Sequence, residues 1–309
     1  MKHVPLWAIL AAGAGFSSTA ALSRFEKVTE RFYYLKAEEG AANVGALVTE
    51  DGVLLVDTPS AKDVPVSLEA LKRLTPRPVR WVISTHEHED HTGGNSYFLE
   101  HNAAVIGSRR PLRPGEAETA NDKGSPRKSP LLAFGREMRL FPGGIEVRVM
   151  AVEHPAHTAA DVIVLIPSER VLQIGDLFMA GSYPEIDMVG GGSPLGWFDA
   201  MKRVIEAVPL AKPAIPQPKP GTSAAPEEEK TLEELVAVIP GHGPASNLRE
   251  VKDLLESAQR LRNEAARAIS LKRTRDAFLT SVSLTPSFSA RKNLDLFAAQ
   301  LYEVLSRKK

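Results

Sequence analysis

Thr85-His86-Glu87-His88-Glu89-Asp90-His91-Thr92-Gly93-Gly94 sets three histidines and an aspartate in the order His-x-His-x-Asp-His within six residues. It comes directly after Val79-Arg80-Trp81-Val82-Ile83-Ser84, a run of strand length that reads as buried and delivers the cluster to a strand end. Imidazole nitrogen and carboxylate oxygen are the donors that borderline divalent metals such as zinc accept. Histidine, aspartate and glutamate are mostly solvated, so a plain polar loop is the competing reading. Two later histidines and a further aspartate in comparable settings weigh against it.

Towards the N-terminus the chain alternates strands and turns. Arg31–Leu35, Asn43–Val48 and Gly52–Asp57 read as three strands, with Glu50-Asp51-Gly52 as the hairpin turn between the last two. Val64, Leu68, Leu71 and Leu74 fall at helical spacing, and Pro76 with Pro78 closes that helix before the strand that carries the cluster. Beyond the cluster, Gly93-Gly94 opens a helix through Tyr97, Phe98 and Leu99, and Ala103–Gly107 reads as the next strand, giving β-α-β order. Asp57 ends its strand and is suited to buttress the metal loop rather than to bind metal, and Thr85 and Thr158 are suited to the same supporting role.

Arg109 to Pro130 is rich in Pro, Gly, Arg, Lys and Glu and reads as a long surface loop. Ile145 to Val152 alternates as a half-buried strand and leads into Glu153-His154-Pro155-Ala156-His157-Thr158. Asp161–Ile166 and Arg170–Ile174 pair around Pro167-Ser168-Glu169, and the second runs into Gly175-Asp176. A helix from Trp197 to Val208 precedes a proline-dense insertion, Pro209 to Pro226, and the short acidic segment Glu227 to Leu235. The last strand, Leu235–Ile239, ends in Pro240-Gly241-His242-Gly243-Pro244, and Asn247 to Lys309 carries helical periodicity throughout.

Composition sets outer bounds. The 309 residues are 43% hydrophobic and 25% charged, enough for a large folded core. Lys+Arg and Asp+Glu both number 38, so no overall field favours nucleic acid, and a small-molecule substrate is expected instead. The chain has no cysteine, which excludes disulfides, a catalytic thiol and thiolate ligands. Lys2 and His3, the apolar stretch Val4 to Phe16 and the small residues Ser18-Thr19-Ala20 read as a signal peptide over residues 1–20. A buried helix or short anchor is the other reading. The stretch is shorter than the ~20 residues a stable membrane span requires. A secreted or periplasmic location is expected, and the lack of free thiols is compatible with it.

The ordered set His-x-His-x-Asp-His, Ala-His-Thr, Ile-Gly-Asp and Pro-Gly-His-Gly-Pro resembles the signature of the metallo-β-lactamase superfamily, over roughly Phe25 to Pro244. The resemblance implies an α/β fold: an αββα sandwich of two mixed sheets with the metal site along one edge. Here it would be a domain over 25–246 followed by a helical extension over 247–309. It also implies that His86, His88 and His157 hold one metal, that Asp90, His91 and His242 hold a second, and that Asp176 bridges both. His154 lies in the same motif as His157, but His157 is the one that precedes Thr158 as the family pattern requires.

The same resemblance implies a hydrolase with two divalent ions, zinc first with manganese or iron(II) as alternatives, acting on an ester, thioester or lactone. Asp90 would also orient the nucleophile or take a proton. β-Lactam and phosphoester bonds rank lower, because true metallo-β-lactamases usually place Cys or Ser near the bridging position. A mononuclear iron persulfide dioxygenase and a non-catalytic metal-binding interaction protein remain alternatives. Gly175 to Asp187 with Gly191-Gly192-Ser193 and Trp197 resembles a secreted subgroup of these hydrolases, from which the Pro209–Pro226 insertion departs. Tyr183, Asp187 and Trp197 are open between a pocket wall and plain packing; Trp197 leans to packing because Met201 and Val204 come after it at helical spacing. The oligomeric state is open.

Overall fold

The computed structural model describes residues 24–37, 40–108, 132–208, 233 and 236–307. The leader over 1–20, the loop from 109 to 130, the insertion over 209–226 and nearly all of the acidic segment after it lie outside the described residues.

Thirteen strands and eight α-helices are described. The strands are β1 (Phe25–Lys27), β2 (Phe32–Leu35), β3 (Val44–Thr49), β4 (Gly52–Val56), β5 (Val79–Ile83), β6 (Ala104–Ser108), β7 (Leu132–Phe134), β8 (Glu137–Leu140), β9 (Val147–Ala151), β10 (Val162–Ile166), β11 (Val171–Gln173), β12 (Ala237–Ile239) and β13 (Ser246–Asn247). The helices are α1 (Val64–Leu74), α2 (Glu89–Thr92), α3 (Asn95–Glu100), α4 (Pro194–Ala207), α5 (Leu248–Ser270), α6 (Arg275–Ser283), α7 (Pro286–Ser289) and α8 (Leu294–Ser306). One sheet runs in the order β1 to β7, the other β13-β12-β11-β10-β9-β8.

Both sheets are mixed. β1 to β4 form an antiparallel meander, whereas β4, β5, β6 and β7 run parallel, with α1 and α3 as crossovers. In the second sheet β8 to β11 are antiparallel, but β11 pairs parallel with β12.

The side-chain alternation of each strand sorts apolar residues between three layers. Phe32, Leu47, Leu54, Ile83 and Ile106 from the first sheet meet Val149, Val162, Val164, Ile166 and Ile239 from the second between the sheets. Val53, Leu55 and Val82 face Ala70, Leu71 and Phe98 on the first sheet's outer side. Ile163, Leu165 and Leu172 face α4, α5 and α8 on the other. A strand covered on both faces has no polar side, which is why Val162–Ile166 is uninterrupted apolar sequence. The result is an αββα sandwich with helices after it.

Those helices are part of the packing. α5 buries Leu248, Val251, Leu254, Ala258, Leu261, Ala265 and Ala268, a stripe at three- and four-residue spacing, and its first turn is capped by Asn247, whose Oδ1 accepts from Glu250 N at 3.0 Å. Phe297 and Leu301 of α8 join the same apolar layer. Among the described residues no helix is long and apolar enough to cross a membrane.

Candidate metal centre

Parallel pairing aims strand ends the same way. Asp57 lies just past β4, His86 to His91 past β5, Asp176 past β11 and His242 past β12, so all are delivered beyond carboxyl ends of strands, while His157 sits in the connection from β9 to β10. The seven residues read from the sequence come together in two groups. His86, His88, His157 and Asp176 each offer a ligand atom within 4.8 Å of the others, and so do Asp90, His91 and His242. His154 is exposed and belongs to neither group.

Within the first group His88 Nδ1 lies 3.1 Å from both His86 Nε2 and His157 Nε2. Nitrogens bound tetrahedrally to one zinc at about 2.0–2.1 Å stand about 3.3–3.4 Å apart, so the spacing suits a shared cation. In the second group His242 Nε2 lies 3.3 Å from both Asp90 Oδ2 and Asp176 Oδ1, and His91 Nε2 lies 3.3 Å from Asp176 Oδ1. The other carboxylate oxygen of Asp176, Oδ2, is 3.6 Å from His157 Nε2. One aspartate thus offers an oxygen to each group.

The hydrogen-bond partners fix which nitrogen of each ring faces inward. His91 Nδ1 is 2.9 Å from Asp57 Oδ2, His242 Nδ1 is 2.8 Å from the Ala41 carbonyl, and His157 Nδ1 meets the Glu185 carbonyl. Each of these oxygens can only accept, so each Nδ1 donates and Nε2 of the neutral ring keeps its lone pair. His88 Nε2 donates to Asp187 Oδ2 at 3.1 Å, leaving Nδ1 as its free lone pair. The Thr85 hydroxyl spends its proton on Asp57 Oδ2 at 2.8 Å and so accepts from His86 Nδ1 at 3.1 Å. In their neutral forms all five histidines present lone pairs to the same space, as metal-binding histidines with outer partners do.

Charge makes the same demand. Burial opposes ionisation of Asp176, but His91 and His242 hold its carboxyl well below the usual range; Asp90 is likewise lowered by His242 and His91 against its own desolvation. Burial disfavours charge on His91, yet Asp176 and Asp57 outweigh it and lift its pKa well above the ordinary imidazole value. His242, opposed by burial but with its Nε2 3.3 Å from the Asp176 and Asp90 carboxylates, is raised to about 10. His86 is driven the other way, by burial and then by the neighbouring His91. The carboxylates therefore call for cations, and protons on His91 and His242 occupy the atoms a divalent ion would take. His91 Nε2 and Asp176 Oδ1 are buried atoms without a hydrogen-bond partner, an arrangement that fits a metal and that a protein otherwise avoids.

The support around these groups is specific. Asp57, at φ 64°, has fully buried carboxylate oxygens that accept from Thr85 N at 2.7 Å, Thr85 Oγ1 and His91 Nδ1. Aspartate is among the few L-residues that adopt this left-handed conformation readily. Asp161 accepts from Thr158 N and Oγ1, closing the turn beside His157. Gly175 combines φ 51° with a position where a Cβ would collide with Thr85 Oγ1, and a Cβ on Gly241 would collide with Asp176 Oδ1. Asn43 Nδ2 donates to the Pro240 and Gly243 carbonyls at 2.9 Å each, holding the His242 loop.

The three residues left open after the sequence resolve differently. Tyr183 is fully buried, its hydroxyl 2.7 Å from Ser257 Oγ and its ring stacked on Phe297. Trp197 is also buried and donates from Nε1 to the Leu177 carbonyl at 2.8 Å, bracing the turn that carries Asp176. Both pack. Asp187 instead orients His88 and accepts from Gly190 N at 2.6 Å. Sequence reasoning gave Ala41, Glu185 and Asn43 no role at the site.

Comparison with known proteins agrees with the architecture. The model of the metallo-beta-lactamase superfamily matches residues 37–242. Metallo-beta-lactamase IND-1 of Chryseobacterium indologenes is 27% identical over 171 residues, 55% of this chain and 68% of that enzyme. Metallo-beta-lactamase type 2 of Elizabethkingia meningoseptica is 25% identical over 170 residues, 55% of this chain and 65% of its own length. Among solved structures, a metallo-beta-lactamase from Pontibacter korlensis superposes with a TM-score of 0.55 at 20% identity, covering 76% of this chain and 98% of that one. The stereoselective inverting sec-alkylsulfatase Pisa1 from Pseudomonas sp. gives 0.67 at 14% identity, covering 91% of this chain and 50% of its own. At such identities the structural likeness concerns the fold.

Proposed function

The chain belongs to the metallo-beta-lactamase superfamily, and from that premise and the site geometry we propose that it is a two-metal hydrolase of carboxylic esters, thioesters or lactones. The observation that carries the reading is the divided presentation of Asp176, with Oδ1 towards His91 and His242 and Oδ2 towards His157. His86, His88 and His157 would hold one ion, Asp90, His91 and His242 the other, and Asp176 both. Two divalent ions held there would supply a hydroxide nucleophile at neutral pH and an electrophile for the scissile carbonyl oxygen.

The side chains do the rest. Asp90, kept ionised and partly exposed, accepts a hydrogen bond from an attacking water and orients it, while the buried Asp57 and the backbone carbonyls of Ala41 and Glu185 keep the imidazoles in one tautomer. A nitrogen and oxygen donor set without thiolate suits zinc, with manganese or iron(II) as the next choices. A carboxylate at the bridging position is the reason to place acyl esters ahead of the cyclic amide that the names of the two β-lactamase relatives suggest as a second reading.

The test is chelation and then reloading with zinc, manganese or iron, with turnover measured on aryl esters, acyl thioesters, γ-lactones and a β-lactam. Loss on chelation and recovery on the acyl substrates is expected. Recovery on the β-lactam alone selects the second reading. Inert, metal-replete protein across the panel refutes both, and oxygen uptake with a persulfide at one iron per chain replaces them with a dioxygenase.

A further inference from the structure

The two groups of ligands are supported from opposite sides of the fold. The second group takes its orienting contacts from the first sheet's side, through Asp57 to His91 and the Ala41 carbonyl to His242. In the first group His86 is held by Thr85, but His157 and His88 depend on the stretch 185–187, whose Glu185 carbonyl meets His157 and whose Asp187 carboxylate meets His88. This stretch belongs to no regular element, and Asp187 N adds one bond to the His157 carbonyl at 2.9 Å.

The C-terminal helices hold that stretch. Upstream, Tyr183 N donates to the Lys292 carbonyl at 2.9 Å and Lys292 N to the Gly181 carbonyl at 3.1 Å. At the centre, Gln300 of α8 donates from Nε2 to the Ile186 carbonyl at 2.8 Å, between the two residues that touch the histidines. Gln300 sits in an apolar part of its helix, with Phe297, Ala298, Ala299 and Leu301 all buried, and its Oε1 is buried without a partner. The Ile186 carbonyl has a second donor in Met188 N at 2.9 Å, so it does not need the amide for its own satisfaction. An apolar side chain at this place would avoid the unpaired oxygen. A polar residue kept there against stability points to a positional task.

We propose that Gln300 is a positioning residue for the group His86, His88, His157 and Asp176: its amide fixes the Glu185–Asp187 backbone and, through it, the rings of His157 and His88. This rests on the two-ion reading of the site. The C-terminal helices then tune one ion and leave the other alone.

Cobalt(II) affinity, read from ligand-field absorption and calorimetry, tests this in two parent variants of the full chain. His242→Ala weakens the second group and leaves the first for study, and His88→Ala does the reverse. Gln300→Met, which keeps length and removes the donor, is expected to weaken cobalt binding about tenfold in the His242→Ala parent. It should change binding less than twofold in the His88→Ala parent, with a melting temperature equal to or above that of the parent. Tyr183→Phe, which removes the side-chain bond to Ser257 and leaves the backbone bonds of the segment in place, is the packing control and should leave cobalt binding intact in both.

Equal weakening in both parents, or none in either, overturns the proposal. Failure of either parent to bind cobalt overturns the two-ion reading and the proposal with it, whereas two binding parents with an indifferent Gln300 leave that reading standing. Should Gln300→Met lose its cooperative melt, Gln300→Leu, which removes the donor and adds no titratable proton, carries the same test with the same expected and overturning results.

Discussion

Replacing Asp57 by asparagine changes one atom and reverses the logic of the second group of ligands. Asn tolerates the backbone at φ 64° as Asp does, so strain is not introduced. Its remaining oxygen can keep the bond from Thr85 N, but an NH2 now faces the Thr85 hydroxyl and His91 Nδ1, both of which donated to Asp57 Oδ2 at 2.8 and 2.9 Å. The arrangement that resolves this donor-to-donor conflict turns His91 over to the tautomer with its proton on Nε2, which removes the lone pair aimed at Asp176 and Asp90. Loss of an outer partner of a ligating histidine costs about 10–100-fold in metal affinity, equivalent to about 1.4–2.7 kcal/mol. The assay is calorimetric zinc titration of chelated protein, with elemental analysis after gel filtration. At least one of two ions should be lost or weakened by that factor, because Thr85, no longer donating to residue 57, also loses its reason to accept from His86. Asp57→Gly, which accepts the positive φ and deletes the acceptor without introducing a donor, should lose less. Two ions at wild-type affinity in Asp57→Asn, or a larger loss in Asp57→Gly, refutes the tautomer argument.

Three further outcomes are expected from the same geometry. In metal-free protein the raised pKa of His242, about 10 against an unfolded value of 6.5, contributes stability that is complete below pH 6.5 and lost as pH rises through about 10. The melting temperature of chelated protein should therefore fall across that window more steeply than that of zinc-loaded protein, and parallel profiles would contradict the exchange of protons for metal. His88→Ala should lose the ion of the first group and turnover together while the second group still binds, and activity retained in metal-verified protein would count against the first group. Gly241→Ala forces a methyl against Asp176 Oδ1; overpacking of this kind costs about 1–3 kcal/mol, read as a lower melting temperature with reduced metal content, and an unchanged melt would show that the loop gives way freely.

The residues that gather into the two groups were legible because each lies in a short motif beside a strand, where local chemistry and position agree. Strands such as Val162–Ile166 announced themselves by apolar continuity, and α1 by its spacing. Phe25–Lys27, Leu132–Phe134 and Glu137–Leu140 escaped notice: at three or four residues, partly exposed, they carry too few alternations for a period to register. Tyr183 and Trp197 were ambiguous since an aromatic beside a ligand motif reads alike as pocket wall and as core, and only their bonds to Ser257 and Leu177 decide it. The Ala41 and Glu185 carbonyls had no signal at all, because every residue carries a carbonyl and only tertiary structure selects one. Asn43 and Gln300 act across 197 and 114 residues of sequence, beyond the reach of any local pattern.

The most direct measurement is anomalous diffraction from crystals of the zinc-loaded protein at the zinc edge. Two peaks about 3.5–4 Å apart are expected, one among His86, His88 and His157, the other among Asp90, His91 and His242, with the two oxygens of Asp176 divided between them. A single peak, or two peaks that Asp176 does not join, would contradict the two-metal assignment.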